Sequence, residues 1–173
     1  MRKKAIIFLD VDGPLNTDEN INRERKRKRS VSSYHIKLPD RQLYNLARIV
    51  HTVRGDVVLS SKWRLTNKND NQYKSPARKN LERQLYKFGV TIYSQTPFME
   101  HQRGLEINWW LSKFQMKFGY RPPYIVIDDK LDPIIDQHQG HIVYCDPKKG
   151  ITNKEVEMAI NLFRKQNVFI YDP

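Results

Sequence analysis

The sequence predicts an α/β fold, a central and mainly parallel sheet of about five strands with helices on both faces. Three observations predict it. Apolar runs of four or five residues recur along the chain, too short for helices and unbroken by polar residues, as in strands buried on both faces. Between them lie segments with apolar residues at intervals of three and four, the pattern of amphipathic helices. Strand, helix and strand joined by short connections form βαβ units, whose strands lie parallel.

The first run, Ala5-Ile6-Ile7-Phe8-Leu9, follows Lys3-Lys4 and ends at Asp10-Val11-Asp12-Gly13-Pro14. From Asn16 to Ser33 the chain is polar almost throughout, and it holds the run Arg23-Glu24-Arg25-Lys26-Arg27-Lys28-Arg29. Such a stretch has little to bury, so a basic loop or flap is expected over about residues 17–37. Leu38-Pro39-Asp40 starts a helix with Leu43, Leu46, Ala47, Ile49, Val50 and Val53 on one face, and Gly55 ends it. Asp56-Val57-Val58-Leu59 is the second strand and stops at Ser60-Ser61-Lys62-Trp63-Arg64. Residues 65–78 read as loop, Lys79 to Phe88 as a helix and Val90 to Tyr93 as the third strand. A helix follows from about Gly104 to Phe118, then a fourth strand, Tyr124 to Ile127, which ends in Asp128-Asp129. Ile142 to Cys145 is the fifth strand, and Asn153 to Phe163 the last helix. No internal repeat is visible, and residues 1–173 read as one domain with no large cap domain.

Composition narrows the partners. A hydrophobic fraction of 39% suffices for a globule, although the mean hydropathy of -0.74 is polar. A net charge of +12 and a pI near 9.8 favour polyanions: nucleic acid, phosphorylated substrates or anionic membrane surfaces. The plain alternative is a solvated basic surface without a specific partner. A single cysteine, Cys145, excludes an internal disulfide framework and a Cys-rich zinc site. It is expected to be a small buried hydrophobe. No apolar run approaches the ~20 residues of a membrane span. The first run is short and ends in acids rather than small residues, unlike a secretory signal. An intracellular, cytoplasmic protein is therefore expected, with nuclear import through the basic run left open.

The end of the first strand carries the chemistry. Side chains alternate along a strand, so Asp10 and Asp12 leave on the same side while the chain stays extended. Gly13 permits the turn that follows. Two acids held together there repel each other unless a cation or a shared proton relieves them. Parallel strands deliver Ser60 and Asp128-Asp129 to the same edge, where open α/β sheets bind ligands. Oxygen donors of this kind suit Mg²⁺. A carboxylate at such a site can attack phosphorus, its neighbour can move a proton, a serine can hold a phosphoryl oxygen, and a cation such as Arg103 can neutralise the transferring group. Each piece alone is commonly a turn or a strand end. The pieces in this order are far more specific.

Phe8-Leu9-Asp10-Val11-Asp12-Gly13, Val57-Val58-Leu59-Ser60, Arg103-Gly104-Leu105-Glu106-Ile107 and Ile125-Val126-Ile127-Asp128-Asp129 together resemble the four motifs of the haloacid dehalogenase (HAD) superfamily of phosphohydrolases. Leu59-Ser60-Ser61-Lys62-Trp63-Arg64, the Arg-Gly-x-Glu-Ile…Trp-Leu stretch and Asp146-Pro147…Gly150-Ile151-Thr152 are similar to the branch named as the HAD domain of Swiss Army Knife RNA repair proteins. The resemblance implies a Rossmann-like HAD fold and a Mg²⁺-dependent phosphohydrolase. Asp10 is then the nucleophile, and Asp12 the general acid/base. Mg²⁺ sits between Asp10, the backbone carbonyl of Asp12 and Asp128, with Asp129 assisting. Ser60 and Arg103 hold the phosphoryl group, with Ser61, Lys62 and Arg64 as further candidates. Two positions depart from the family pattern: Pro14 stiffens the turn, and Arg103 stands where Lys is more usual.

The absence of a large insertion implies an open site, suited to a nucleic-acid end. RNA or DNA contacted by residues 23–29 is the expected partner class. Trp63 stacks on a base or anchors the strand end. Of Trp109-Trp110, one faces the core and one the surface. The five histidines show no paired metal spacing and are expected on the surface or in loops. The rival functions are a small-molecule or nucleotide phosphatase, a nucleic-acid-binding module with a degenerate site, and a protein phosphatase or repair subunit.

Overall fold

A computed structural model of the chain describes residues 4–27, 35–65, 75–100, 102–131 and 135–171. β1 (Ile6–Leu9) lies at the centre of a five-stranded sheet in the order β3-β2-β1-β4-β5. Its neighbours are β2 (Asp56–Leu59) and β4 (Tyr124–Asp128), with β3 (Ile92–Gln95) and β5 (Ile142–Tyr144) at the edges. Every pairing is parallel, and Leu9 sits level with Leu59 on one side and Ile127 on the other.

Strand alternation divides the core into two clusters. Ile7, Leu9, Val57, Leu59, Ile125 and Ile127 meet the apolar faces of α2 (Asp40–Val53), α3 (Pro76–Tyr86) and α6 (Asn153–Lys165). Ile6, Phe8, Val58 and Val126 meet Ile107, Trp110, Leu111 and Phe114 of α4 (Arg103–Phe118). Phe8 packs edge-on against Trp110 and Tyr124, at centroid distances of 5.3 and 5.9 Å. Both faces are therefore covered by helices, which explains why the strands read as unbroken apolar runs. As expected, Trp110 is core while Trp109 is exposed, and Cys145 is buried.

The expected basic flap at 17–37 is corrected in part. Residues 18–27 form a helix, α1 (Asp18–Arg27), and Lys28 and Arg29 of the basic run lie outside the described residues. The reason is physical. Arg, Lys and Glu are good helix formers. Asp18 and Glu19 in the first turn and Arg25, Lys26 and Arg27 in the last complement the helix dipole. The buried side chains of α1 are the polar Asn20 and Glu24, so no apolar stripe marks the helix. The Asn20 amide side chain donates to the Lys37 carbonyl at 3.0 Å and ties α1 to the following segment.

Other boundaries move for local reasons. α3 begins at Pro76 rather than Lys79, because Ser75 caps it and proline suits the first turn. β3 begins at Ile92, since the Val90 amide is taken by the Leu85 carbonyl at the end of α3. A short helix, α5 (Ile135–His138), gives no periodic signal. His138 at its end is fully buried, contrary to the expected surface role, with a ring contact to Tyr124. No helix among the described residues is long and apolar enough to cross a membrane.

Candidate active site

The ends of the five strands are held in line by backbone bonds that continue the sheet one step further. The Asp10 amide donates to the Ile127 carbonyl at 3.0 Å, and the Ser60 amide to the Leu9 carbonyl at 2.9 Å. The Thr96 amide donates to Leu59 at 3.0 Å, and the Cys145 amide to Asp128 at 2.9 Å. Asp10, Ser60 and Asp128 thus arrive together at the carboxyl edge of β1, β2 and β4. This is where the chain order switches from one side of β1 to the other, the usual position for a ligand in an open sheet.

Asp10, Asp128 and Asp129 form an acidic cluster in which one oxygen from each lies within 4.8 Å of the others. Asp10 and Asp128 are buried, and Asp129 is half-buried. Burial pushes the Asp128 carboxyl up to about 7; the Asp10 charge adds to this, against the attraction of Arg103. Burial and Asp10 likewise raise Asp129 above the ordinary carboxylate range. Asp129 Oδ1 is buried without a hydrogen-bond partner among the described residues. Three crowded carboxylates with an orphaned oxygen fit a hard divalent cation, which takes oxygen ligands and relieves their repulsion.

Gly13 shapes the same corner. Its φ is +92°, and a Cβ there would lie 2.5 Å from Asp129 Cβ and Cγ. Glycine is needed twice, for the turn and for the approach of Asp129. The turn closes with Leu15 and Asn16 amides on the Val11 carbonyl, at 2.9 and 2.8 Å. Pro14 fits this geometry and uses its own carbonyl to accept from Ile151 at 2.9 Å.

Asp12 stands apart from the cluster, so its carboxylate is not a member of the metal set; the backbone carbonyl is the route by which resemblance gave it that role. One carboxyl oxygen accepts from the Asn16 amide at 2.7 Å, and the other from the Trp63 indole at 3.1 Å. Asp12 is exposed at the rim, yet the protein around it excludes enough water to raise its pKa, opposed by those two bonds. Its two donors explain the position of Trp63, which is 4% exposed and therefore an anchor rather than a free stacking platform.

The expected phosphate ligands divide. Ser60 is fully buried, and its Oγ has no hydrogen-bond partner among the described residues, leaving it able to donate to a bound oxygen. Ser61 is buried and caps the 3₁₀ turn at Lys62–Arg64, accepting from the Trp63 amide at 3.4 Å. Lys62 is exposed. Arg103 Nη1 pairs with both Asp128 and Asp10, the latter at 3.3 Å. Burial alone would lower its pKa, but the two carboxylates outweigh that and keep it firmly charged. Arg64 is corrected as a phosphate ligand. Its guanidinium is buried and donates to the carbonyls of Ser61, Thr96 and Pro97, at 2.6, 3.1 and 3.1 Å, and to the Glu106 carboxylate at 2.7 Å. Four of its five N–H donors are thus committed to the protein, which holds it away from a substrate. It ties the end of β2 to the end of β3 and to α4.

Four supporting residues escaped the sequence reading. Asn16 follows Asp12 by four residues and looks like an ordinary turn residue. Glu106, three residues after Arg103, shares the first turn of α4 and anchors Arg64. Lys130 has its backbone amide on Asp128 at 2.9 Å, and its charge opposes the upward pKa shifts of Asp12 and Asp129. His138 Nε2 donates to the Gly104 carbonyl at 3.0 Å, just beyond Arg103. Only proximity in space reveals these roles.

Comparison with curated proteins found no match. Residues 6–156 match the family described as the HAD domain in Swiss Army Knife RNA repair proteins. That span runs from β1 into α6 and includes every strand and each acid of the corner. With a five-stranded parallel sheet, paired helical layers and the acids at its switch point, the chain belongs to this family of the haloacid dehalogenase superfamily of hydrolases.

Proposed function

We propose that the chain is a Mg²⁺-dependent phosphomonoesterase acting on the phosphorylated end of a nucleic acid. The observation that carries the reading is the cluster of Asp10, Asp128 and Asp129 beside a separately held Asp12. One carboxylate attacks, two help hold charge, and the fourth is positioned to move a proton. Asp10, Asp128 and Asp129 would hold the cation, which when bound neutralises charge on the phosphoryl oxygens.

The chain's own groups then divide the work. Ser60 Oγ donates to a phosphoryl oxygen, and the Arg103 guanidinium faces the developing charge. An Asp10 oxygen attacks phosphorus, and the P–O bond to the leaving group breaks as Asp12 gives that oxygen a proton. Water next attacks the aspartyl-phosphate while Asp12 takes its proton, which releases phosphate and restores Asp10. Lys62 at the rim is exposed and offers a cation to an entering phosphate. The net charge of +12 and the family's description as part of RNA repair proteins support a nucleic-acid substrate.

The test is phosphate release with Mg²⁺ from a 3′-phosphorylated oligonucleotide, a 5′-phosphorylated one and a small aryl phosphate, for wild type and Asp10→Asn. Release from an oligonucleotide end, lost in Asp10→Asn, is expected. Turnover of the aryl phosphate alone would discard the nucleic-acid substrate. Equal release by Asp10→Asn would discard the nucleophile.

A further inference from the structure

We infer that a basic cleft beside α1 is a second anion site, which grips a backbone phosphate of a nucleic-acid strand while the strand's end lies in the catalytic corner. This rests on the reading of the substrate as a nucleic-acid end and specifies where the rest of the strand is held. The cleft has a volume of about 440 Å³, and Arg23, Arg41, Lys148 and Lys149 line it, against Glu19 as the one acid among the described residues. None of Asp10, Ser60, Arg103 or Asp128 is on its wall. A ligand with one phosphate group occupies one place or the other, whereas a strand presents a phosphate to each.

The walls are held in place. The turn that carries Lys148 and Lys149 is closed by Lys149 and Gly150 amides on the Asp146 carbonyl, at 2.9 and 2.8 Å. The Asp18 amide donates to Pro147 at 2.9 Å, joining this turn to the start of α1. Gly150 has φ +66°, and a Cβ there would meet the Pro14 carbonyl oxygen at 2.6 Å and Gln42 Cγ at 2.9 Å. The lysine turn therefore packs directly on the turn that follows Asp12.

Gln42 gives an independent sign of a ligand. It is 8% exposed, lines the cleft, and donates from Nε2 to the Lys149 carbonyl at 2.9 Å. Its Oε1 is buried without a partner among the described residues. An unsatisfied acceptor on a residue that lines the cleft together with these cations suits a group that brings phosphate and a hydroxyl or N–H donor together, as a nucleotide unit does.

A chain of hydrogen bonds fixes the cleft relative to the catalytic corner. Arg23 Nη2 donates to Asn20 Oδ1 at 2.5 Å, Asn20 Nδ2 to Asn16 Oδ1 at 2.8 Å, and Asn16 Nδ2 to Asp12 Oδ1 at 2.7 Å. Each donor points toward Asp12, so Arg23 is positioned in the cleft by the same asparagines that hold the acid/base.

The test uses the full chain carrying Arg41→Glu and Lys148→Glu, both at exposed side chains. Binding of an unphosphorylated single-stranded oligonucleotide is measured by fluorescence anisotropy across a salt series, beside kcat/KM for an end-phosphorylated oligonucleotide and for an aryl phosphate. Oligonucleotide affinity and kcat/KM are expected to fall by about tenfold or more and the salt slope by about one, with aryl phosphate turnover unchanged. Wild-type affinity and salt slope in the variant would overturn the proposal, even if the end phosphate is still removed. Cleft-dependent binding by a wild type that hydrolyses none of the substrates would sustain the cleft and sink the phosphatase reading. Cleft-dependent binding to anionic vesicles but not to oligonucleotide would overturn it.

Discussion

The indole N–H of Trp63 donates to Asp12 across 3.1 Å, so a residue just beyond β2 holds the acid that follows β1. With Asn16 on the other oxygen, Asp12 has one donor on each side. Trp63→Phe keeps most of the apolar packing and removes only the indole donor. One such bond is worth about 1–1.5 kcal/mol, so kcat is expected to fall by about tenfold. The bond favours the ionised carboxylate, and its loss should move the acidic limb of the kcat–pH profile upward. Steady-state kinetics from pH 5 to 9 checks both, and an unmoved profile would leave Trp63 as packing alone.

The cation site should titrate. Because Asp128 is pushed to about 7 and binding needs its ionised form, Mg²⁺ affinity is expected to fall steeply as pH drops below 7. Thermal melts with and without Mg²⁺ at pH 8 and pH 6 measure this. The Mg²⁺-induced rise in Tm should be large at pH 8, small at pH 6 and absent in Asp128→Asn.

Gly13→Ala tests the close approach at the corner. The substitution places a methyl group against Asp129 in a backbone conformation that L residues avoid. A loss of about 2 kcal/mol or more is expected in urea denaturation, together with a weaker Mg²⁺ response because Asp129 must shift.

Arg64 and Glu106 are a buried ion pair, exposed by only 3% and 2% at their side chains. Removing one partner strands the other's charge, so Glu106→Gln and Arg64→Met are each expected to cost about 3–5 kcal/mol. Their double substitution should cost less than the sum of the two, and a double-mutant cycle by chemical denaturation measures the difference.

His138 gives a stability term with a definite sign. Burial lowers its pKa below the ordinary 6.5, and its ring accepts from the Tyr124 hydroxyl at 3.0 Å while donating to Gly104. The folded chain holds the neutral ring, whereas the unfolded chain takes up a proton near 6.5. Stability from this residue is therefore complete above 6.5 and declines as pH falls below it. Asp128, raised in the fold, works in the opposite direction between about 4 and 7 when no cation is bound. Urea midpoints of wild type and His138→Gln at pH 7.5 and 5 separate the two, since only wild type should show the histidine loss.

Much of the fold was legible because burial on both faces leaves a direct trace in Ile6–Leu9, Asp56–Leu59 and Tyr124–Asp128. The acids of the corner were legible because each ends a strand, and parallel strands share one edge. α1 was hidden because its buried side chains, Asn20 and Glu24, are polar and its fixing contacts are hydrogen bonds across the fold. Arg64 could not be assigned from sequence, since its partners come from Thr96, Pro97 and Glu106. Trp63 carried two readings until its indole was seen on Asp12.

The central strand has a bearing on how the chain acquires its shape during synthesis. β1 leaves the ribosome before both of its neighbours, and β2 can pair with it once α1 and α2 have followed. Its other neighbour, β4, begins only at Tyr124, more than a hundred residues after β1 ends. Until then one edge of the most apolar strand has no mate, a liability for a nascent protein. The acidic corner matures at the same late moment, because Asp10 waits for Asp128. A fragment ending before β4 would carry Asp10 without Asp128 and Asp129 and would present a sticky edge instead of the acidic cluster.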